Sequence, residues 1–185
     1  MRRRDAVRLL LKNRKNLLVV AGLGSTAWDC TAAGDSPLTF PMWGAMGQAA
    51  MMGLGLALAQ PKRRVLVITG DGEALMGLGA LATIGVQRPE NLTVVVIDNE
   101  RYGETGMQET HTAHGIDLAG VARACGFKIL DYDELPEAIH KTPGPNFIVV
   151  KVKAEKVPLA LPPREGALLK ARFRRALLGP GADAE

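Results

Sequence analysis

Four apolar runs rich in β-branched residues limit what this chain can fold into: NLLVVA (16–21), VLVIT (65–69), LTVVVID (92–98) and FIVVKV (147–152). They are continuous rather than alternating, so each is expected to be buried on both faces. Helix-length segments separate them, at about 45–59, 73–87, 116–125 and 133–141. Strands buried on both sides and separated by helices make a parallel sheet. The expected fold class is α/β, a doubly wound parallel sheet sandwiched by helices.

A chain of 185 residues is long enough for one such domain with a sizeable core. Hydrophobic content of 47% against 23% charged excludes wholesale disorder. The net charge of +4 is concentrated at the ends, from Arg2 to Lys15 and from Arg164 to Arg175. Few aromatics interleave with these cations and no nucleic-acid motif accompanies them. They read as solvated helix faces, or as a patch for an acidic partner or substrate, and no nucleic-acid partner is expected. Cys30 and Cys125 stand far apart without a CxxC or a histidine at ligand spacing. Neither a disulfide framework nor a zinc site follows, which fits a reducing cytoplasm.

The start, MRRRDAVRLLLKNRK, has too short an apolar stretch for a signal peptide, and Ala6, Leu9, Leu10 and Lys12 read as an amphipathic helix. The most apolar segment is MWGAMGQAAMMGLGLALA (42–59). It is marginal in length for a bilayer and is read as a buried helix whose small residues allow close packing, so no membrane role is expected. After Val152 the connector VPLALPP leads to a short helix over about 165–178, whose Leu168, Leu169 and Phe173 need cover. The chain thus divides into a domain over 1–155 and a C-terminal extension over 156–185.

In doubly wound folds ligands bind at the carboxyl ends of the strands. Two such ends carry chemistry. VLVIT runs into Gly70-Asp71-Gly72 and then a helix start near Glu73; the glycines permit a tight turn, and free helix N–H groups favour an anion. LTVVVID runs into Asn99 and then the glycine-containing segment ERYGETGMQETHTAHG. Asp71 and Asn99 are hard oxygen donors on neighbouring tips, suited to Mg²⁺ or Ca²⁺. Taken singly, Asp71 also suits a helix cap and Asn99 a turn. A third glycine-rich turn, Gly22-x-Gly24-x-x-Ala27, follows the first strand and matches a dinucleotide fingerprint, but Gly34, Asp35, Ser36 and Pro37 interrupt the helix that a fingerprint requires.

GDG followed by 26 residues (73–98) and then Asn at a strand end resembles the motif of thiamine diphosphate enzymes of the 2-oxoacid decarboxylase and acetolactate synthase superfamily. WGAMGQAAMMGLGLALAQPKRRVLVITGDG is similar to the segment that leads into that motif, and IDNERYGETGMQETHT is most similar to sulfopyruvate decarboxylase beta subunits and to the matching half of phosphonopyruvate decarboxylases. The superfamily often has Asn-Asn where this chain has Asp98-Asn99; the Asp-Asn form resembles the sulfopyruvate branch. The resemblance implies that 1–155 is the diphosphate-half binding domain, with thiamine diphosphate and Mg²⁺ as cofactors. Mg²⁺ would be held by Asp71, Asn99 and the main-chain carbonyl of Arg101. Gly72 and Glu73 would offer backbone N–H groups to the diphosphate, with Gly70 and Tyr102 beside it. Met46 would be the wedge that bends the cofactor, and the Gly44 carbonyl would accept a bond from its pyrimidine amino group. Read from the residues alone, Met46 also suits core filling and Tyr102 loop packing. Of the two loop histidines, His111 matches the family's THT and is the candidate catalytic proton donor or substrate ligand.

The implied reaction is decarboxylation of an anionic 2-oxoacid such as 3-sulfopyruvate, the cofactor accepting the electrons released with CO₂. The superfamily's activating Glu lies on a separate pyrimidine-binding domain, for which this chain has no room. A pyrimidine-binding alpha-type subunit is therefore the expected partner in a hetero-oligomer. The alternatives are an acetolactate synthase-like carboligase subunit and a non-catalytic thiamine diphosphate-binding subunit.

Overall fold

All four apolar runs are strands, side by side and parallel, at the centre of the computed structural model. They are β1 (Leu18–Ala21), β3 (Val65–Gly70), β4 (Leu92–Asp98) and β8 (Asn146–Lys151). Two short edge strands complete the sheet, β2 (Thr39–Pro41) beside β1 and β7 (Lys128–Ile129) beside β8, in the order β2-β1-β3-β4-β8-β7. The structure describes residues 1–135 and 137–183; Pro136 of the helix expected over 133–141, and residues 184 and 185 of the extension, lie outside them.

Successive strand side chains point to opposite faces. Leu66, Ile68, Val95 and Ile97 therefore enter one core with α1 (Arg3–Leu11), α2 (Ser25–Ala32) and α7 (Glu137–Lys141). Val65, Val67, Val94 and Val96 enter a second core with α3 (Ala49–Ala59), α5 (Gly79–Gln87) and α6 (Leu118–Ala124). Both faces are covered, which is why the runs are continuous. The extension returns to the second core through α8 (Gly166–Leu178): Leu169 and Phe173 are buried, Phe173 meeting Phe40 of β2 edge to face, while Leu168 stays exposed.

Three departures from sequence expectation bear on the site. The helix expected over 45–59 begins only at Ala49, because Gly44, Ala45 and Gly47 take positive φ (74°, 54° and 87°) and form a left-handed loop. The helix expected over 73–87 is two, α4 (Asp71–Met76) and α5. They break at Gly77, which lies back to back with Gly47: a Cβ on Gly77 would stand 2.1 Å from the Gly47 carbonyl oxygen. The turn at Gly22 and Gly24 does open a helix, α2, that crosses to a neighbouring parallel strand, but β2 ends on Pro41 with no acid at its tip. Among the described residues no helix is long and apolar enough to cross a membrane.

Close packing through small residues is used at Gly53, whose added Cβ would lie 2.2 Å from Val67 Cγ2. A branched side chain there must push α3 off β3, and overpacking costs about 1–3 kcal/mol, more than any gain in helix propensity over glycine. Gly53→Val is expected to lower the urea midpoint by a corresponding amount with an unchanged slope, checked by equilibrium unfolding.

Candidate cofactor site

After β1 the chain crosses to α2 on one face, and after β3 it enters α4 towards the other. The carboxyl ends of these neighbours thus part, as at the switch point of a doubly wound sheet. A cleft of about 370 Å³ opens there. Gly70, Asp71, Gly72 and Glu73 enter it from the β3–α4 junction, Asn99, Arg101 and Tyr102 from the segment after β4, and Met46 from the left-handed loop after β2. Leu23, Ser25 and Thr26, from the turn set aside as an incomplete dinucleotide fingerprint, line the same cleft. Two helix starts therefore open into it, at Ser25 and at Asp71, neither with a side-chain cap on its N–H groups.

Asp71 is 2% exposed. Its Oδ2 accepts a hydrogen bond from Thr110 Oγ1 at 2.5 Å and lies 3.3 Å from Thr112 Oγ1, which donates at 2.9 Å to Asp98 Oδ1. Two buried carboxylates thus share one pair of hydroxyls. Lys151 Nζ lies 2.8 Å from Asp98 Oδ2 and 2.6 Å from Glu100 Oε1, while among the described residues Asp71 has no cationic partner. Burial pushes the Asp71 carboxyl above its usual range; the Thr110 bond opposes this and the Asp98 charge adds to it. A sealed carboxylate that lacks a cation is suited to receive one.

Asn99 Oδ1 accepts the Arg101 N–H at 3.1 Å and Asp98 Oδ1 the Glu100 N–H at 3.1 Å, two overlapping side-chain turns that reverse the chain through Glu100 at φ 61°. The reversal carries it into the hairpin of β5 (Arg101–Tyr102) and β6 (Gln108–Glu109). Tyr102 folds back over Gly72: a Cβ at Gly72 would stand 2.5 Å from its ring, so only glycine fits beneath.

The Glu73 side chain has a role that the sequence did not reveal. It turns inward, where Oε2 accepts bonds from Thr69 Oγ1 (2.7 Å) and the Leu23 N–H (3.1 Å), tying the turn after β1 to the start of α4. Oε1 makes no hydrogen bond; the amides of Gly47 and Ala49 face the carboxylate outside bonding geometry. Burial raises this carboxyl too.

Two nominated residues lie apart from the cleft lining: Gly44, exposed in the left-handed loop, and His111, exposed at the head of a short turn (His111–His114). In the THT motif it is the flanking threonines that reach Asp71. Thr110 precedes the turn and Thr112 lies within it, so no local period of the sequence marks the pair.

Among the described residues no cluster of three or more His, Cys, Asp or Glu could hold a metal ion. One carboxylate and one amide oxygen at a strand edge leave most positions of an octahedron to other oxygens, which is how Mg²⁺ is held on phosphates rather than in all-protein cages. A buried uncompensated carboxylate, an amide oxygen and two open helix starts fit a divalent cation with a diphosphate.

The family described as thiamine pyrophosphate enzyme, C-terminal TPP binding domain, matches residues 24–152. The chain belongs to this family. It is 37% identical over 185 residues to sulfopyruvate decarboxylase subunit beta of Methanothermobacter thermautotrophicus, covering 99% of each chain. It is 36% identical to phosphonopyruvate decarboxylase of Streptomyces viridochromogenes over 95% of this chain and 46% of that one, so it spans about half the length of that relative. Among solved structures, benzoylformate decarboxylase of Polynucleobacter necessarius matches with TM-score 0.70 at 23% identity, covering 86% of this chain and 34% of that one, a likeness of fold. The thiamine diphosphate-binding fold is thus this chain's architecture, and the cleft lies within the matched segment.

The raised carboxyls predict a pH dependence. Between the ordinary Glu value near 4.5 and its raised value, the folded chain keeps a proton that the unfolded chain has lost. Unfolding then releases a proton, so the stability of the chain without metal or diphosphate is expected to fall as pH rises through that window and level off above it. Glu73→Gln should flatten part of this slope, as read by urea unfolding in steps from acidic to neutral pH.

Proposed function

We propose that this chain is the diphosphate- and Mg²⁺-binding, beta-type subunit of a two-subunit thiamine diphosphate-dependent 2-oxoacid decarboxylase, acting on 3-sulfopyruvate or a similarly anionic 2-oxoacid. The observation that carries the reading is the convergence, in one cleft, of the cation-deficient Asp71, Asn99, two open helix starts and Met46. The identity to a sulfopyruvate decarboxylase beta subunit along nearly the whole of both chains supports the substrate class, and the half-length match to phosphonopyruvate decarboxylase supports the division of the enzyme.

In this reading Asp71 and Asn99 hold Mg²⁺ with the Arg101 carbonyl, while the backbone of Gly72 and Glu73 faces the diphosphate. Thr110 and Thr112 keep the Asp71 carboxylate aimed. Met46 gives apolar support to the cofactor rings, and Tyr102 packed on Gly72 keeps water from the phosphate side. When bound, thiamine diphosphate supplies the electron sink for decarboxylation. The partner supplies the carboxylate that activates it. Two free cysteines, Cys30 with its thiol pushed up to about 12 by burial, agree with a reducing cytoplasm.

A surface for that partner is at hand. The segments 49–59 and 74–87 carry no charged residue. α3 and α5 pack against each other, yet Met51 and Leu58 of α3, Met76 of α4 and Val86 of α5 are exposed. A helix apolar on every side is ordinarily buried, and the alpha-type subunit is our proposed cover.

Two experiments test this reading. Titration calorimetry should show thiamine diphosphate binding that depends on Mg²⁺ and is abolished in Asp71→Ala, because the diphosphate would then face an unneutralised pocket. Unchanged affinity in that variant would falsify the metal assignment. CO₂ release from 3-sulfopyruvate, phosphonopyruvate and pyruvate should be absent with this chain alone and appear when the separately purified partner is added; turnover by the chain alone would overturn the two-subunit reading.

A further inference from the structure

Arg3 opens α1, whose start lies at the carboxyl edge of the sheet and lines the cleft. It is only 7% exposed. A guanidinium so deeply buried needs a charged partner. Asp29, 1% exposed in α2, accepts Arg3 Nε at Oδ2 (2.7 Å) and Arg4 Nε at Oδ1 (3.0 Å), and Arg4 reaches on to the Pro158 carbonyl at 2.8 Å. One carboxylate thus serves two guanidiniums, and the trio keeps one net positive charge.

Arg3 meets Asp29 through Nε alone rather than through a fork-to-fork pair. Among the described residues its two Nη groups donate to no acceptor, yet neither is a sealed, unpartnered atom. They are therefore not sealed off, on a cleft-lining side chain that Asp29 anchors at Nε. A fixed guanidinium fork suits two oxygens of one phosphate or carboxylate.

We propose that Arg3 grips the terminal phosphate of the diphosphate. This rests on the reading of the cleft as a cofactor site. One divalent cation shared with Asp71 does not cancel all the charge of a fully ionised diphosphate, and the Arg3–Asp29–Arg4 trio adds one positive charge towards the remainder. The inner phosphate is bridged on two sides, so after the cation takes an oxygen it has no pair left for a fork. The terminal phosphate has three unbridged oxygens and can serve both.

The test measures Mg²⁺-dependent affinity of the full chain for thiamine diphosphate and for thiamine monophosphate. Arg3→Gln leaves Asp29 its bond to Arg4, and its thermal melt reports folding. Its affinity for thiamine diphosphate should fall roughly ten- to a hundredfold, the loss of charge-assisted hydrogen bonds, while that for the monophosphate changes little. Arg2→Gln, which removes an equal charge from the exposed Glu155 pair, should alter neither. Equal weakening for both ligands, or none, would overturn the assignment. If Arg3→Gln melts early, Arg3→Lys carries the same test, since it keeps the charge and loses the fork; undiminished preference for the diphosphate would then overturn it. A wild-type chain that binds no thiamine diphosphate would instead fail the cofactor-site reading itself.

Discussion

The paired hydroxyls of Thr110 and Thr112 hold two buried carboxylates side by side, and the arrangement at the sheet edge depends on that contact. Asp98 is paired with Lys151, whereas Asp71 has no cationic partner among the described residues. Leaving a buried charge unpaired costs several kcal/mol, a large share of the roughly 5–15 kcal/mol that keeps a domain folded. Burial raises the Asp71 carboxyl, with the Thr110 bond opposing the shift. On the reading of the cleft as a cofactor site, a cation would offset the cost of the unpaired charge.

Positioning at the opposite wall is steric. Gly47 against Gly77 locks the left-handed loop onto the break between α4 and α5, and Gly53 lets α3 lie directly on β3. The Met46 side chain is thus presented to the cleft by a loop that cannot relax into the helix that follows it. Glu73 completes the clamp from beneath, joining α4 to the turn after β1 through Leu23 and Thr69. Two walls of the cleft, on different crossovers, are in this way fixed to each other.

How much of this was legible in the sequence follows from where the forces act. The four central strands were readable because both of their faces are buried, which writes an unbroken apolar run. β2 and β7, with three and two residues, are too short to write any period. The break at Gly77 comes from a contact with Gly47 and has no local signal. Asp71 and Asn99 were legible because they sit at ends of readable strands, whereas Met46 was named by the family resemblance, inside a segment read as helix. Thr110, Thr112, Arg3 and the Glu73 side chain were not, since each matters only once distant segments fold onto the cleft. His111 drew attention by its chemistry, but it is the orientation of its neighbours that brings the motif to Asp71.

The apolar outer face and the cleft bear on each other energetically. Burying large side chains such as Met51, Leu58, Met76 and Val86 is worth about 1.5–3 kcal/mol each, while association costs an estimated 4–15 kcal/mol in lost freedom. These ranges overlap, and the side chains are already partly buried, so the face alone does not ensure association. On the two-subunit reading a cofactor held at its diphosphate by this chain and at its pyrimidine by the partner adds its own contacts to both sides. Binding free energies are reciprocal, so whatever the cofactor adds to association, association adds to cofactor affinity. On that reading neither half would need a large interface or a tight cofactor site of its own, because each would supply what the other lacks.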